Sequence, residues 1–313
     1  MNRKLIAPII MIIAWGLPVT TPVVAIAEEM ETGVPPQQQP VREQEVRSPL
    51  FDVTMESSYT AAGETKFRGT NFGDSDAYNM SLNLNSRITL NQHWIVPLEL
   101  KSRNLELGSL TGVPVPDGIH TLQFGTGLGY TPSDRWMFMA RIAPTLYKFS
   151  DIGGNDMGFS GSLTATWKYN PSLKFMFGVI ASPDSDIKVL PIAGLDWIIS
   201  DQLDLRLMLP KPQLIYTPND RWRFHVGAEL NTAIFRTSDS LGTSIGLPQY
   251  NDEIGNYRDI RIGTGICYRF SKSVSMEADV GYSVNRQIDY TEINETVEFV
   301  SAPYAGLGLR VNF

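Results

Sequence analysis

The sequence predicts an all-β protein, a transmembrane antiparallel up-and-down β-barrel of about 14 strands, with about 12 as the alternative count. Three observations carry this. From residue 51 onward, apolar and polar residues alternate with period two in short segments separated by turn residues. No Asp, Glu, Lys or Arg falls on the apolar face of those segments, while both signs of charge occur on the other face. Short connections alternate with mostly longer ones, as in a barrel with tight turns at one rim and loops at the other.

The N-terminal region is read first. Arg3 and Lys4 precede an apolar run from Leu5 to Val19, and Ala25 and Ala27 supply the small residues of a signal-peptide cleavage site. The run contains Pro8 and Pro18 and falls short of the roughly 20 residues that a spanning helix needs. Residues 1–27 are therefore expected to be a signal peptide. Residues 28–48, rich in Pro, Gln and charge, have little to bury and are expected to form a disordered periplasmic linker. Residues 49–313 are expected to be the barrel.

The first strand is expected over 51–60, followed by a loop over 62–76 and a strand over 77–90. Asn91-Gln92 turns the chain into 94–106, and a loop over 107–117 leads to 118–130. Pro132-Ser133 opens 135–148, a loop over 149–156 leads to 157–169, and Asn170-Pro171 opens 172–181. Beyond a connection at 182–186, strands over 187–199 and 203–209 flank Asp201-Gln202. Leu209-Pro210-Lys211-Pro212 then breaks the pattern before 213–217; read as one bulged strand, this stretch lowers the count to about 12. After Pro218-Asn219, the strand over 222–234 sets Trp222, Phe224, Val226, Ala228 and Leu230 against Arg223, His225, Gly227 and Glu229. A loop over 236–257 leads to 258–270, Ser271-Lys272 to 274–285, and a loop over 287–297 to the last strand, 298–313.

In a membrane barrel the apolar face meets lipid, where a Lys or Arg costs about 2–4 kcal/mol near the midplane, and the polar face lines the lumen. The expected lumen lining includes Arg87, Glu99, Lys101 and Arg141 from the first half of the chain. From the second half it includes Asp204, Arg206, Arg223, Glu229, Arg261, Arg269, Glu277, Asp279 and Arg310. Such mixed charge either creates a transverse field in an open pore or pairs across strands and fills the lumen. Trp94, Trp136, Trp222, Tyr130 and Phe270 sit on the apolar face beside the short turns, where amphipathic rings form a membrane-interface girdle.

Composition excludes several classes. A formal charge of -7 argues against a nucleic-acid binder. One cysteine, Cys267, allows no internal disulfide or cysteine-rich metal site, and the three histidines show no ligand spacing, so neither metal nor cofactor is expected. An outer-membrane serine hydrolase needs a histidine base beside a hydroxyl. His120 is followed by Thr121 on the opposite face and then Leu122, so no enzyme is expected. The reading that remains is a porin-like channel or passive transporter for small solutes, against a non-conducting structural barrel or a receptor acting through external loops.

The segment Leu307-Gly308-Leu309-Arg310-Val311-Asn312-Phe313, with Leu309, Val311 and Phe313 on one face, resembles the C-terminal β-signal read by the barrel-assembly machinery. The resemblance implies that machinery, periplasmic chaperones and outer-membrane lipids as partners, and localisation in the bacterial outer membrane. The mature chain also resembles a family of uncharacterised bacterial outer-membrane β-barrels known as a domain of unknown function. Leu209 to Leu230 (LPKPQLIYTPNDRWRFHVGAEL) and the terminal GLGLRVNF carry that likeness. It implies a barrel and supplies no substrate or catalytic residues.

Overall fold

The structure, a computed structural model, describes residues 51–147, 156–185 and 188–313. The expected signal peptide, with Ala25 and Ala27, and the linker lie outside the described residues, as does most of the loop over 149–156. Among the described residues, no helix is long and apolar enough to cross a membrane.

The first half of the chain forms β1 (Phe51–Phe67), β2 (Thr70–Thr89), β3 (Trp94–Leu107), β4 (Gly118–Ser133), β5 (Trp136–Leu146), β6 (Met157–Asn170) and β7 (Leu173–Ala181). The second half forms β8 (Val189–Ser200), β9 (Leu203–Leu207), β10 (Gln213–Tyr216), β11 (Trp222–Arg236), β12 (Ile254–Arg269), β13 (Val274–Tyr290), β14 (Glu295–Phe299) and β15 (Ala302–Asn312). Sequential strands pair antiparallel, and β14 and β15 both lie between β13 and β1 as the two halves of one stave. The barrel therefore closes with 14 staves, the higher of the two expected counts. Closure runs from Asp52↔Asn312 to Thr60↔Tyr304 and leaves no free sheet edge at the joint.

Turn chemistry fixes the rim at which the described chain enters and leaves. The Oδ1 of Asn91 accepts from the backbone N–H of His93 (2.8 Å) and Trp94 (3.1 Å), and Asn219 does the same for Arg221 (3.0 Å) and Trp222 (3.1 Å). In the related phrase at 131–136, Ser133 Oγ accepts from Arg135 N–H. We call this rim the turn end and the opposite one the loop end.

Two expected loops are strand. In place of a loop over 62–76, β1 and β2 run to a two-residue turn at Arg68-Gly69, both with positive φ (50° and 75°), the backbone of a tight hairpin turn. In place of a loop over 287–297, β13 runs to Tyr290 and β14 starts at Glu295. Period-two alternation reports a sheet with one apolar face. In these hairpins the outward side has lost its apolar character, so the alternation fades while the ladder continues.

Up to the middle of the barrel, the outward face is apolar and the inward face polar, as expected. Phe124, Phe138, Ile142, Leu163, Phe177, Val226 and Val280 are exposed outside, whereas Glu99, Lys101, Arg141 and Asp259 are buried inside. The loop end differs. There Phe67, Leu105, Val113, Val115, Phe235, Tyr250, Tyr257, Ile288, Tyr290 and Val297 form one apolar cluster within the barrel mouth. Tyr250 packs edge-on against Tyr290 with ring centroids 4.9 Å apart, and Tyr290 Oη donates to Pro114 O at 2.6 Å. The expectation that apolar residues face only lipid thus fails at this end, because the strand ends and two loops fold over the mouth and need a dry core of their own.

Candidate functional site

The polar interior is built by cross-strand register. One row reads His225↔Gly265↔Asp279↔Gly306↔Ser58 and the next Arg223↔Cys267↔Glu277↔Gly308↔Glu56, running over β11, β12, β13, β15 and β1. Glycine at the second stave, Gly265 of β12, lets the flanking side chains meet above it. His225 Nε2 lies 2.8 Å from Asp279 Oδ1, and a Cβ on Gly265 would stand 2.2 Å from that carboxylate oxygen. Arg223 pairs with Glu277 at 2.9 Å above the small Cys267. Lys211 extends from the link between β9 and β10 to Glu56 of β1 (3.2 Å) and Glu229 of β11 (3.7 Å).

These groups surround a cavity of about 80 Å³, bounded by β1, β11–β13, β15 and Lys211. At about 10–15 Å³ for each water, it holds several waters or a small solute. In its wall, Arg261 binds Asp259 at 2.7 Å and donates to Ser58 Oγ at 2.9 Å and Thr60 Oγ1 at 3.3 Å, tying β12 to β1 through the interior. Ser283 Oγ donates to Asp259 Oδ1 at 2.6 Å, and the Arg261 guanidinium lies 4.8 Å from the centroid of the Tyr304 ring.

Across the barrel, Arg141 pairs with Glu99, both buried, and Asp196 lies between Lys174 (3.7 Å) and Arg206 (3.8 Å). The side-chain amides of Asn83 and Gln123 are buried there without a partner among the described residues, the kind of group that holds internal water.

Of the expected lining, Lys101 is buried, Arg87, Asp204 and Glu229 are part-exposed, and Arg310 lies 3.6 Å from Asp52. Arg269 departs from the expectation. It is exposed, because β12 ends there at the turn-end rim.

The aromatics expected to form a girdle stand outside at the turn end and touch one another. Trp94 stacks on Tyr130 at 4.4 Å, Trp136 on Trp167 at 6.0 Å, and Tyr268 meets Trp222 at 4.5 Å and Phe270 at 4.9 Å. His120 is exposed on β4, and the carboxylate of Asp184 accepts from Tyr147 Oη at 2.8 Å.

Sequence reasoning missed two parts of the site. The His225–Glu277–Asp279 group, with donor atoms within 4.8 Å of one another, is invisible to linear spacing because register over three strands assembles it. Its members are already engaged with one another and with Arg223. The loop-end cap did leave a signal. Ala233-Ile234-Phe235 is an unbroken apolar run, and all three are buried, as a strand covered on both faces requires.

The cap carries a pH dependence of its own. Glu253, on the loop that carries Tyr250, is buried, and this burial, with Glu292 and Asp252 nearby, raises its carboxyl above the ordinary range despite Arg236. A raised carboxyl stabilises the fold below the unfolded pKa, and the contribution is lost as pH rises through the folded one. Glu253→Gln is expected to remove a fall in thermal stability as pH rises above about 4, the ordinary carboxylate range; an unchanged profile would show that Glu253 is solvated.

A family model described as Domain of unknown function (DUF6268) matches residues 51–312. No curated protein matches the chain. Similar solved structures include an outer-membrane channel from Pseudomonas putida F1, with 8% identity and a TM-score of 0.46 over 88% of this chain and 100% of that one. The NanC porin gives 8% identity and a TM-score of 0.39 over 83% of this chain and 100% of that one. The Pseudomonas putida toluene transporter TodX gives 12% identity and a TM-score of 0.38 over 84% and 89%.

Proposed function

Since the chain belongs to this domain-of-unknown-function family, which supplies no activity, we propose from its geometry that it is an outer-membrane barrel acting as a closed channel for small solutes. The exterior, apolar and uncharged from the turn end to the middle of the barrel, and the aromatic rim suit a bilayer, which admits spanning strands when their backbone groups are satisfied within the protein. The observation that carries the channel reading is the polar cavity around Lys211, stopped toward the loop end by the apolar cap of Tyr250 and Tyr290. A barrel serving only as scaffold has no need of a charged cavity below a lid made partly of loop.

The cap also sets the behaviour expected of the channel. An apolar plug excludes water and ions, so the resting protein should conduct poorly. The test is planar-bilayer recording on the refolded protein and on a variant in which residues 239–252, which carry Tyr250, are replaced by a short Gly-Ser link. The native barrel is expected to be silent or to flicker. The variant is expected to give stable steps that scale with salt. Silence in both, with each protein folded and inserted, would sink the channel reading and favour the structural barrel, which the buried Arg261–Asp259 and Arg141–Glu99 pairs also suit.

A further inference from the structure

Every stave of a closed barrel pairs along both edges, and hydrocarbon tolerates unpaired backbone only where protein or a water-filled cavity lines it. The wall between β8 and β11 departs from that pattern. The hairpin inserted there offers strands of 5 and 4 residues, about half of the roughly 9–11 that a tilted strand needs to cross hydrocarbon. On β8, pairing with β9 starts at Leu195↔Leu207 and continues only toward the turn end. On β11, pairing with β10 stops at Gly227↔Gln213, extended by Ala228 N–H to Pro212 O (3.0 Å) and Leu230 N–H to Pro210 O (2.9 Å).

Above that level, residues 189–194 of β8 and 231–236 of β11 have no strand partner on their facing edges among the described residues. β8 carries Pro191 in this stretch, a residue that sheets confine to edges and bulges. β11 meanwhile leans inward and comes alongside β4, and Arg103 of β3 donates to Thr232 O and, at 3.2 Å, to Asn231 Oδ1.

Side chains close the seam. Ile180 and Leu190, from the inward faces of β7 and β8, pack with Leu230 and Ile260, from the outward faces of β11 and β12, and Ile192 and Leu209 complete the cluster. The wall thus overlaps itself like a rolled edge, held by aliphatic side chains. Leu209 and Lys211 belong to the same link, so the residue that stops the seam sits two positions from the ammonium held by Glu56 and Glu229 inside.

We infer that this seam is a lateral entrance, through which a small apolar molecule dissolved in the bilayer passes between lipid and barrel interior, with Leu209 as its stopper. The inference rests on the membrane reading above. Parting the wall elsewhere breaks ladder hydrogen bonds in a medium that cannot replace them. Parting it here exchanges aliphatic contacts for aliphatic contacts with the entrant, so the cost is small for an apolar molecule and large for a charged one. The lining continues inward, since Ala233 and Phe235, on the inner face of β11 behind the seam, belong to the apolar cap cluster. Outside, exposed Val189 and Val226 flank it.

The test is photolabelling of the full-length protein in liposomes with a small apolar diazirine, mapped residue by residue. Label is expected at Leu209, Leu230 and Ile260 as well as at Val189 and Val226, with the seam fraction suppressed by excess unlabelled compound. Leu209→Ala is expected to raise seam labelling several-fold, and Leu209→Trp to lower it while the barrel stays heat-modifiable. Label at Val189 and Val226 with a blank seam would overturn the entrance and leave the membrane reading intact. No label at either would overturn the membrane reading itself. Seam labelling indifferent to both Leu209 variants would remove the stopper role.

Discussion

Replacing Arg261 with alanine is expected to cost the barrel about 3–5 kcal/mol, because it leaves the carboxylate of Asp259 buried without its cation. Both side chains are almost fully excluded from solvent, at 4% and 0% exposure. The same substitution removes the bonds to Ser58 and Thr60 that hold β12 to β1 through the interior. Equilibrium unfolding in urea from lipid or detergent reads the loss. Adding Asp259→Asn to Arg261→Ala should recover a large part of it, since most of the penalty is the stranded charge rather than the pair's net worth. A loss below about 1 kcal/mol, the range of exposed pairs, would mean that this part of the interior is open to water.

The second large effect separates two glycines that look alike in sequence. A Cβ on Gly281 would stand 2.2 Å from Ile262 O and 2.6 Å from Gly263 Cα, both backbone atoms of the neighbouring ladder. Gly281→Ala must therefore push β12 and β13 apart or distort them, and is expected to cost about 1–3 kcal/mol, as overpacking does. A Cβ on Gly306 meets nothing closer than 3.5 Å, so Gly306→Ala should be neutral. Parallel urea titrations of the two variants decide this; equal effects would show that glycine acts here through backbone freedom rather than space.

The pair also illustrates what the sequence could and could not convey. Alternation is a one-dimensional trace of a two-faced sheet, so the staves between Trp94 and Asn170 were legible almost to the residue. The short strands around Leu209-Pro210-Lys211-Pro212 were legible as an irregularity, and the structure makes them a separate stave pair rather than one bulged strand. The partners of His225 or Arg261 were not legible, because register joins residues far apart in the chain. The inward face of a strand reads the same whether its glycines leave space, as at Gly306, or are filled by neighbours, as at Gly125 beside Arg141 and Glu99. The occluded mouth was equally hidden, since loop residues such as Val113 and Tyr250 belong to no periodic pattern.

The joint between β1 and β15 bears on how fast the molecule can form. Asp52 meets Asn312 and Thr60 meets Tyr304, contacts that span nearly the whole described chain. Closing a loop of that length has an entropic cost that no local pairing offsets in advance, and rates fall as contacts become less local. Hairpins such as β1–β2 and β12–β13 can zip early, but two raw edges persist until the final stave docks. In a refolding time course, a probe across β1 and β15 should therefore report the slowest phase, and a probe across the Arg68-Gly69 turn one of the fastest.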